Sequence, residues 1–149
     1  MEGIFKKLNY KGQPVVHVLQ APESFNTELA VLEGKATIER HATGEIHFVI
    51  GFVQLREKLD AMVHEIAPKL MGDAVFWIAY PKGKSKNYTC DFNRDTGWEA
   101  MGSYGLEPIR QVSIDDDWSA LRFRKVGYIK SLTRKFGALS EEGKKKIGN

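Results

Sequence analysis

The sequence Tyr80-Pro81-Lys82-Gly83-Lys84-Ser85-Lys86 sets three lysines and a serine directly after an apolar run. Ammonium groups beside a helix start favour negative charge, so this stretch can hold an anion. Its plainer reading is a solvated lysine-rich loop, where lysine is usually found. Gly83-Lys84-Ser85 ends like a phosphate-binding loop, but Trp77, Ile78 and Ala79 stand where the required glycine-led loop begins. Asp91 and Asp95 are spaced to share one helix face, as a carboxylate pair for a hard metal or for acid–base work. As a helix cap and a first-turn acid they need no further role. Asp115-Asp116-Asp117 lacks the glycine and distant glutamate of a calcium loop and reads as a turn. No two of His17, His41, His47 and His64 have His-x-x-x-His spacing, so no metal site is expected. Cys90 stands alone, which excludes an internal disulfide and a cysteine-rich zinc site. No Gly-x-Ser-x-Gly elbow surrounds Ser24, Ser85 or Ser119. No catalytic residue and no cofactor is assigned.

These residues need elements to position them. The 149 residues suit one domain, and a 42% hydrophobic content supports a core. No uncharged window approaches the ~20 residues of a membrane helix, and Met1 to Lys7 has no apolar signal region, so a cytoplasmic protein with no membrane partner is expected. The net charge of +3 is uneven: from Arg122 to Asn149 nine basic residues face two acidic ones, leaving a mildly acidic body with a basic end.

Val75 to Tyr80 is a short uncharged run bounded by Gly72-Asp73 and Pro81, the pattern of a strand buried on both faces. Val15 to Leu19 reads the same way. Ala36 to Arg40 and Ile46 to Val53 are two further strands. Ser24 can cap a helix over Phe25 to Leu32. Leu55, Leu59, Met62, Val63, Ile66 and Leu70 make one stripe of a helix that Pro68 should end or bend and Gly72 closes. Asp91 or Asn93 can cap a helix over residues 94–104, with Gly105 after it. Ile109 to Ile114 and Trp118 to Arg124 alternate as a hairpin with one wet face. Residues beyond Ile129 read as a partly helical tail. The order predicts a three-layer, Rossmann-like α/β sheet, mostly parallel, with an antiparallel C-terminal hairpin at one edge. Residues 1–126 form its single domain and 127–149 a basic tail.

In such sheets ligands sit beyond the carboxyl ends of the strands, at the switch point. If the first, third and fourth strands are neighbours, their loops converge on a crevice lined by Pro22, Glu23, Ser24, Tyr80, Lys82, Ser85 and Lys86. Trp118 with Arg122 and Arg124, aided by Arg134 and Lys135 in the tail, is an alternative nucleic-acid surface.

The strand end Tyr80-Pro81-Lys82, the stretch Thr89 to Asp95 and the hairpin Asp115-x-x-Trp118-Ser119-Ala120-Leu121-Arg122 resemble a family of small bacterial proteins defined only as a domain of unknown function. That resemblance spans roughly Gln13 to Arg124 and implies a fold and a compartment, not a reaction. The element order also looks like a shortened class I methyltransferase. That family has a glycine-rich loop after its first strand, where backbone approaches a nucleoside. Here the loop is Gln20-Ala21-Pro22-Glu23-Ser24, which counts against adenosylmethionine. The expected acidic ribose ligand after the second strand would be Glu39. The first expectation is therefore a small module binding a small molecule or a protein without catalysis. A divergent transferase acting on an anionic substrate is the second, and nucleic-acid binding through the tail the third.

Overall fold

A computed structural model describes residues 3–93 and 96–129. Strand β1, Val15–Leu19, is the β-branched run expected there. It pairs in parallel with β2, Thr37–Glu39, on one side and with β3, Ile46–Phe52, on the other. Strand β4, Leu70–Pro81, runs parallel to β3. Strands β5, Leu106–Ser113, and β6, Trp118–Lys125, form the antiparallel hairpin, and β6 also pairs with β4. The sheet order is β2-β1-β3-β4-β6-β5. The expected α/β, mostly parallel, Rossmann-like sheet with an antiparallel pair at one edge is therefore the fold.

Strand β4 lies inside the sheet, which explains its uncharged run. Val75, Trp77 and Ala79 point to one face, joining Phe5, Leu8, Phe25, Leu32 and Trp118. Phe76, Ile78 and Tyr80 point to the other. There they meet Leu59, Val63 and Ile66 of the long helix α3, Arg56–Ile66, together with Trp98. The first face is covered by a short helix α1, Ile4–Lys7, which the sequence did not announce, and by α2, Asn26–Leu29. One continuous helix was expected over residues 25–32. Instead α2 lies between 3₁₀ turns at Glu23–Phe25 and Ala30–Leu32, with Ser24 inside the first turn rather than capping a helix.

Two boundaries differ for local reasons. Pro68 closes α3 through a 3₁₀ turn, Ala67–Lys69, so Leu70 already belongs to β4. Gly72, at φ 54°, sits where β4 shifts register against β3 rather than at a helix end. The helix expected over 94–104 is only α4, Glu99–Ser103, although Gly105, at φ 68°, ends it as predicted. Arg94 and Asp95, and the tail beyond residue 129, lie outside the described residues.

The link from β2 to β3 opens space on one face of the sheet. A parallel crossover normally takes a dozen or more residues and a helix. Residues 40–45 cross β1 without one. The link is held by two contacts: His17 Nε2 donates to the Thr43 carbonyl at 2.9 Å, and Lys69 Nζ donates to the Ala42 carbonyl. A bare loop beside α3 covers this part of the sheet, where a second helix would otherwise sit.

Candidate functional site

The chain runs from β1 outward to β2, then returns past β1 to β3 and β4, so the strand order reverses between β1 and β3. This is the position where open α/β sheets bind ligands. A cavity of about 600 Å³ lies there, within the 300–1,000 Å³ usual for small-molecule sites.

Each wall follows from an element ending. Beyond β1, Gln20 adopts φ 57°, an uncommon left-handed conformation for a residue with a side chain, and turns the chain outward. Pro22 and Glu23 follow on the cavity wall. Beyond β2 come Arg40, His41 and the buried Ala42. Arg40 Nη2 donates to Asn26 Oδ1 at 3.2 Å. Beyond β3 come Phe52, Val53 and Gln54. Helix α3 presents Lys58, Ala61, Met62 and Glu65, spaced at three, four and seven residues along one helical face. Tyr88 and Trp118 complete the lining. The charged lining is mixed, two cations and two carboxylates beside one histidine.

The N-terminus of α3 is not free to bind an anion, because the chain supplies one. Asp91 Oδ1 accepts from the Arg56 backbone N–H at 2.7 Å, and the Asp91 N–H donates to the Gln54 carbonyl at 3.3 Å. Asp91 was expected to cap the helix that comes after it. It instead caps a helix 35 residues earlier, and its pairing with Asp95 falls outside the described residues. Removing a side-chain cap costs roughly 0.5–2 kcal/mol. Asp91→Ala is therefore expected to destabilise the protein by ~1 kcal/mol in urea unfolding, and Asp91→Asn, which keeps an acceptor, by less.

The expected single crevice is two spaces. Pro22 and Glu23 line the large cavity. Tyr80, Lys82 and Ser85 line a second cavity of about 250 Å³, with Cys90 and Phe92. Ser24 and Lys86 line neither. Tyr88 lines both, so its ring forms part of the partition.

The polar groups expected to meet a ligand are largely used to fix their loop. Lys82 Nζ donates to Ser113 Oγ at 2.6 Å. Ser85 Oγ donates to Asp117 Oδ1 at 2.8 Å, and Asn87 Nδ2 donates to the same carboxylate at 3.1 Å. Tyr80 is 4% exposed, and its hydroxyl accepts from Gln111 Nε2 at 3.0 Å. Burial, more than the nearby Asp91 charge, pushes the Cys90 thiol up, while its contact with the Phe92 carbonyl pulls the other way. Among the described residues no cluster of three metal-ligating side chains occurs.

Of the alternative nucleic-acid residues, Arg122 is 9% exposed, and its Nε has no hydrogen-bond partner. Burial, then the neighbouring Arg124, lowers its pKa. Arg124 forms a two-pronged pair with Asp73, at 2.9 and 2.6 Å, which raises its own. Arg134 and Lys135 lie outside the described residues.

Reading the sequence missed Arg40, His41, Lys58, Ala61, Met62, Glu65 and Tyr88 as lining residues, and took Trp118 for an alternative nucleic-acid surface. Lys58 and Glu65 flank the apolar stripe of α3, and their spacing from Ala61 was the available signal.

Solved structures carry the same arrangement. Magnesium protoporphyrin IX methyltransferase from Synechocystis PCC 6803, with SAM bound, is 14% identical over 82% of this chain and 74% of its own, at a TM-score of 0.52. A SAM-dependent methyltransferase from Aquifex aeolicus is 10% identical over 81% and 87%, at 0.50. The fibrillarin pre-rRNA processing protein of Methanococcus jannaschii is 9% identical over 77% and 67%, also at 0.50. The chain shares its Rossmann-like fold with these structures. No protein-family model and no curated protein matches the sequence. Kinship with the small bacterial domain family therefore rests on its motifs alone.

Proposed function

We propose that this chain is a small-molecule-binding domain whose ligand lies in the cavity over the carboxyl ends of β1 and β3. The observation that carries this reading is the cavity itself: about 600 Å³, at the strand-order reversal, with charged and polar side chains converging from several elements. We keep kinship with the small bacterial domain family, and a cytoplasmic setting, as part of this proposal. The basic stretch 127–149 is kept as a tail to this domain.

Structures of the Synechocystis neighbour carry SAM or SAH by name, so that cofactor must be tested against the residues here. They do not fit it. The turn after β1 has Gln20 in the left-handed region, where glycine would let backbone approach the ligand. Pro22 then lacks a backbone donor. At the end of β2, the lining residues are Arg40 and His41, not a carboxylate for ribose hydroxyls, and Glu39 does not line the cavity. The proposed ligand is therefore another molecule.

A second reading, group transfer on that ligand, is favoured only by the fold likeness to methyltransferases. Turnover abolished by substitutions in the cavity lining would support it.

A thermal-shift screen of the full chain with SAM, SAH, nucleotides and sugar phosphates tests the first reading. A ligand other than SAM and SAH is expected to raise the melting temperature, and Ala61→Trp should weaken its binding more than tenfold. Ala61 is exposed on α3 at the cavity wall, so this change should leave the melting temperature nearly unaltered. Binding that Ala61→Trp leaves untouched would place the ligand elsewhere and defeat the proposal.

A further inference from the structure

Strand β6 changes character along its length. Trp118 and Ala120 pack into the core on one face of the sheet, and strand alternation sends Arg122 and Arg124 to that same face. Arg122 stands beside Trp77 of β4 and opposite Arg110 of β5. Residues directly opposite on one face have Cβ atoms about 4.5–5.5 Å apart, and like charges placed so repel. The guanidinium groups of Arg110, Arg122 and Arg124 therefore share one patch.

Only one of the three is neutralised. Asp73 holds Arg124 through both carboxylate oxygens, at 2.9 and 2.6 Å. Arg122 is 9% exposed and makes no hydrogen bond or ion pair among the described residues. Its Nε is buried, whereas its two Nη groups are unbonded and open to solvent. Burial first, then Arg124 and Arg110, press against its charged form, and Asp73 offsets only part of this. A guanidinium carries five donors, and a buried charge is ordinarily paired. At a position that served only to pack, an apolar side chain of the same size would be at least as stable.

The patch lies away from both cavities, since none of the three arginines lines either one. Arg122 is four residues along β6 from Trp118, which lines the large cavity. At the rise of a strand this is roughly 13 Å.

The arrangement selects among anions. Guanidinium forks pair with carboxylates and with phosphates. A carboxylate has two oxygens in one plane, and Asp73 already uses both on Arg124. Arg110 and Arg122 reach out from adjacent strands, so an anion bridging them needs oxygens directed to both sides. A phosphoryl group has three or more oxygens around one centre.

We propose that Arg110 and Arg122, flanked by the Arg124–Asp73 pair, form a second binding site, one that takes a phosphoryl group, free or carried on a small molecule. The bound group supplies the counter-charge that the chain withholds from Arg122.

The test is calorimetric titration of the full chain at constant ionic strength with inorganic phosphate, glucose 6-phosphate and acetate, with the melting temperature of each variant measured alongside. The phosphates should bind saturably, and acetate about tenfold or more weakly. Tighter binding of glucose 6-phosphate than of phosphate would assign the site to a phosphorylated molecule, and the reverse to the free ion. Arg122→Met should weaken phosphate binding about tenfold or more, yet leave the anion-free melting temperature unchanged or raised, because an unpaired charge gives way to an apolar side chain. Arg122→Lys, which keeps the charge and loses the fork, should weaken it by about threefold to tenfold. Lys84→Met removes an exposed positive charge in the loop after β4, and should change the affinity by less than about twofold, since distant exposed charges are screened. Equal phosphate affinity in Arg122→Met and the parent would overturn the proposal. So would loss with Ala61→Trp instead, which would move the anion into the large cavity. Binding of single-stranded RNA with no response to either phosphate would overturn it too, in favour of a nucleic-acid surface.

Discussion

Trp77→Ala is expected to leave the protein largely unfolded at 37 °C. Trp77 is fully buried in the interior strand β4, flanked by β3 and β6. Truncating a buried tryptophan to alanine typically costs ~3–5 kcal/mol. A second loss adds to it, because the indole N–H is the 2.8 Å partner of the Leu8 carbonyl, and Leu8 is itself fully buried. An orphaned buried acceptor adds roughly 1–3 kcal/mol. The combined loss, ~4–8 kcal/mol, is comparable to the ~5–15 kcal/mol that holds a domain together. Trp77→Phe separates the parts: it retains most of the apolar contact and loses the hydrogen bond, so it should fold with a lowered urea midpoint. The measurement is urea unfolding followed by far-ultraviolet circular dichroism. An alanine variant within ~1 kcal/mol of the parent would show that the α1 segment does not depend on this anchor.

That anchor also marks where the sequence stopped being readable. Val15 to Leu19 and the inner part of β4 were legible because a strand buried on both faces must be apolar throughout, whatever surrounds it. The hairpin was legible from alternation around Asp115-Asp116-Asp117, which is local. Helix α1 was not, since Ile4, Phe5 and Leu8 make too short a pattern to announce a helix, and their burial is decided by Trp77, 69 residues away. The same distance problem governed the site. The location beyond the strand ends came from topology alone, and Pro22 and Glu23 do line the large cavity. The lysine loop looked ligand-ready because Lys82 and Ser85 are polar and close in sequence. Their partners, Ser113 and Asp117, stand 31 and 32 residues later and use those polar groups to dock the loop. Arg40 and His41 gave no signal because nothing local says that the β2–β3 link is too short for a helix and so leaves a space beside α3.

The loop that joins β4 to α4 contributes to both cavities, and Gly97 is its most constrained point. Gly97 adopts φ 96°, a conformation that side chains rarely take, and a Cβ built there would lie 2.7 Å from Phe92 Cβ. That contact involves the base of the Phe92 side chain, which a rotamer change cannot move. The Phe92 ring is fixed between Tyr80, at 5.8 Å, and Trp98, at 5.2 Å. Trp98 is tied in turn to the Asn93 carbonyl. Gly97→Ala therefore combines backbone strain of ~1–3 kcal/mol with overpacking of similar size. A loss of roughly 2–6 kcal/mol is expected, and at ~2–4 °C per kcal/mol for a domain of this size the melting temperature should fall by about 4–24 °C. Gly83→Ala, in the same loop, is the control: no atom lies within 4 Å of its built Cβ, so its melting temperature should stay within about 2 °C of the parent. The two glycines also differ in their reach. Displacing Phe92 disturbs Asp91, the cap of α3, whereas Gly83 borders open space. Gly97→Ala should therefore also weaken ligand binding in the large cavity, by shifting the helix that carries Lys58 and Met62, and Gly83→Ala should not. Equal melting temperatures for the two variants would mean that Phe92 does not approach Gly97 as described, and the coupling between this loop and the cavity would fall with it.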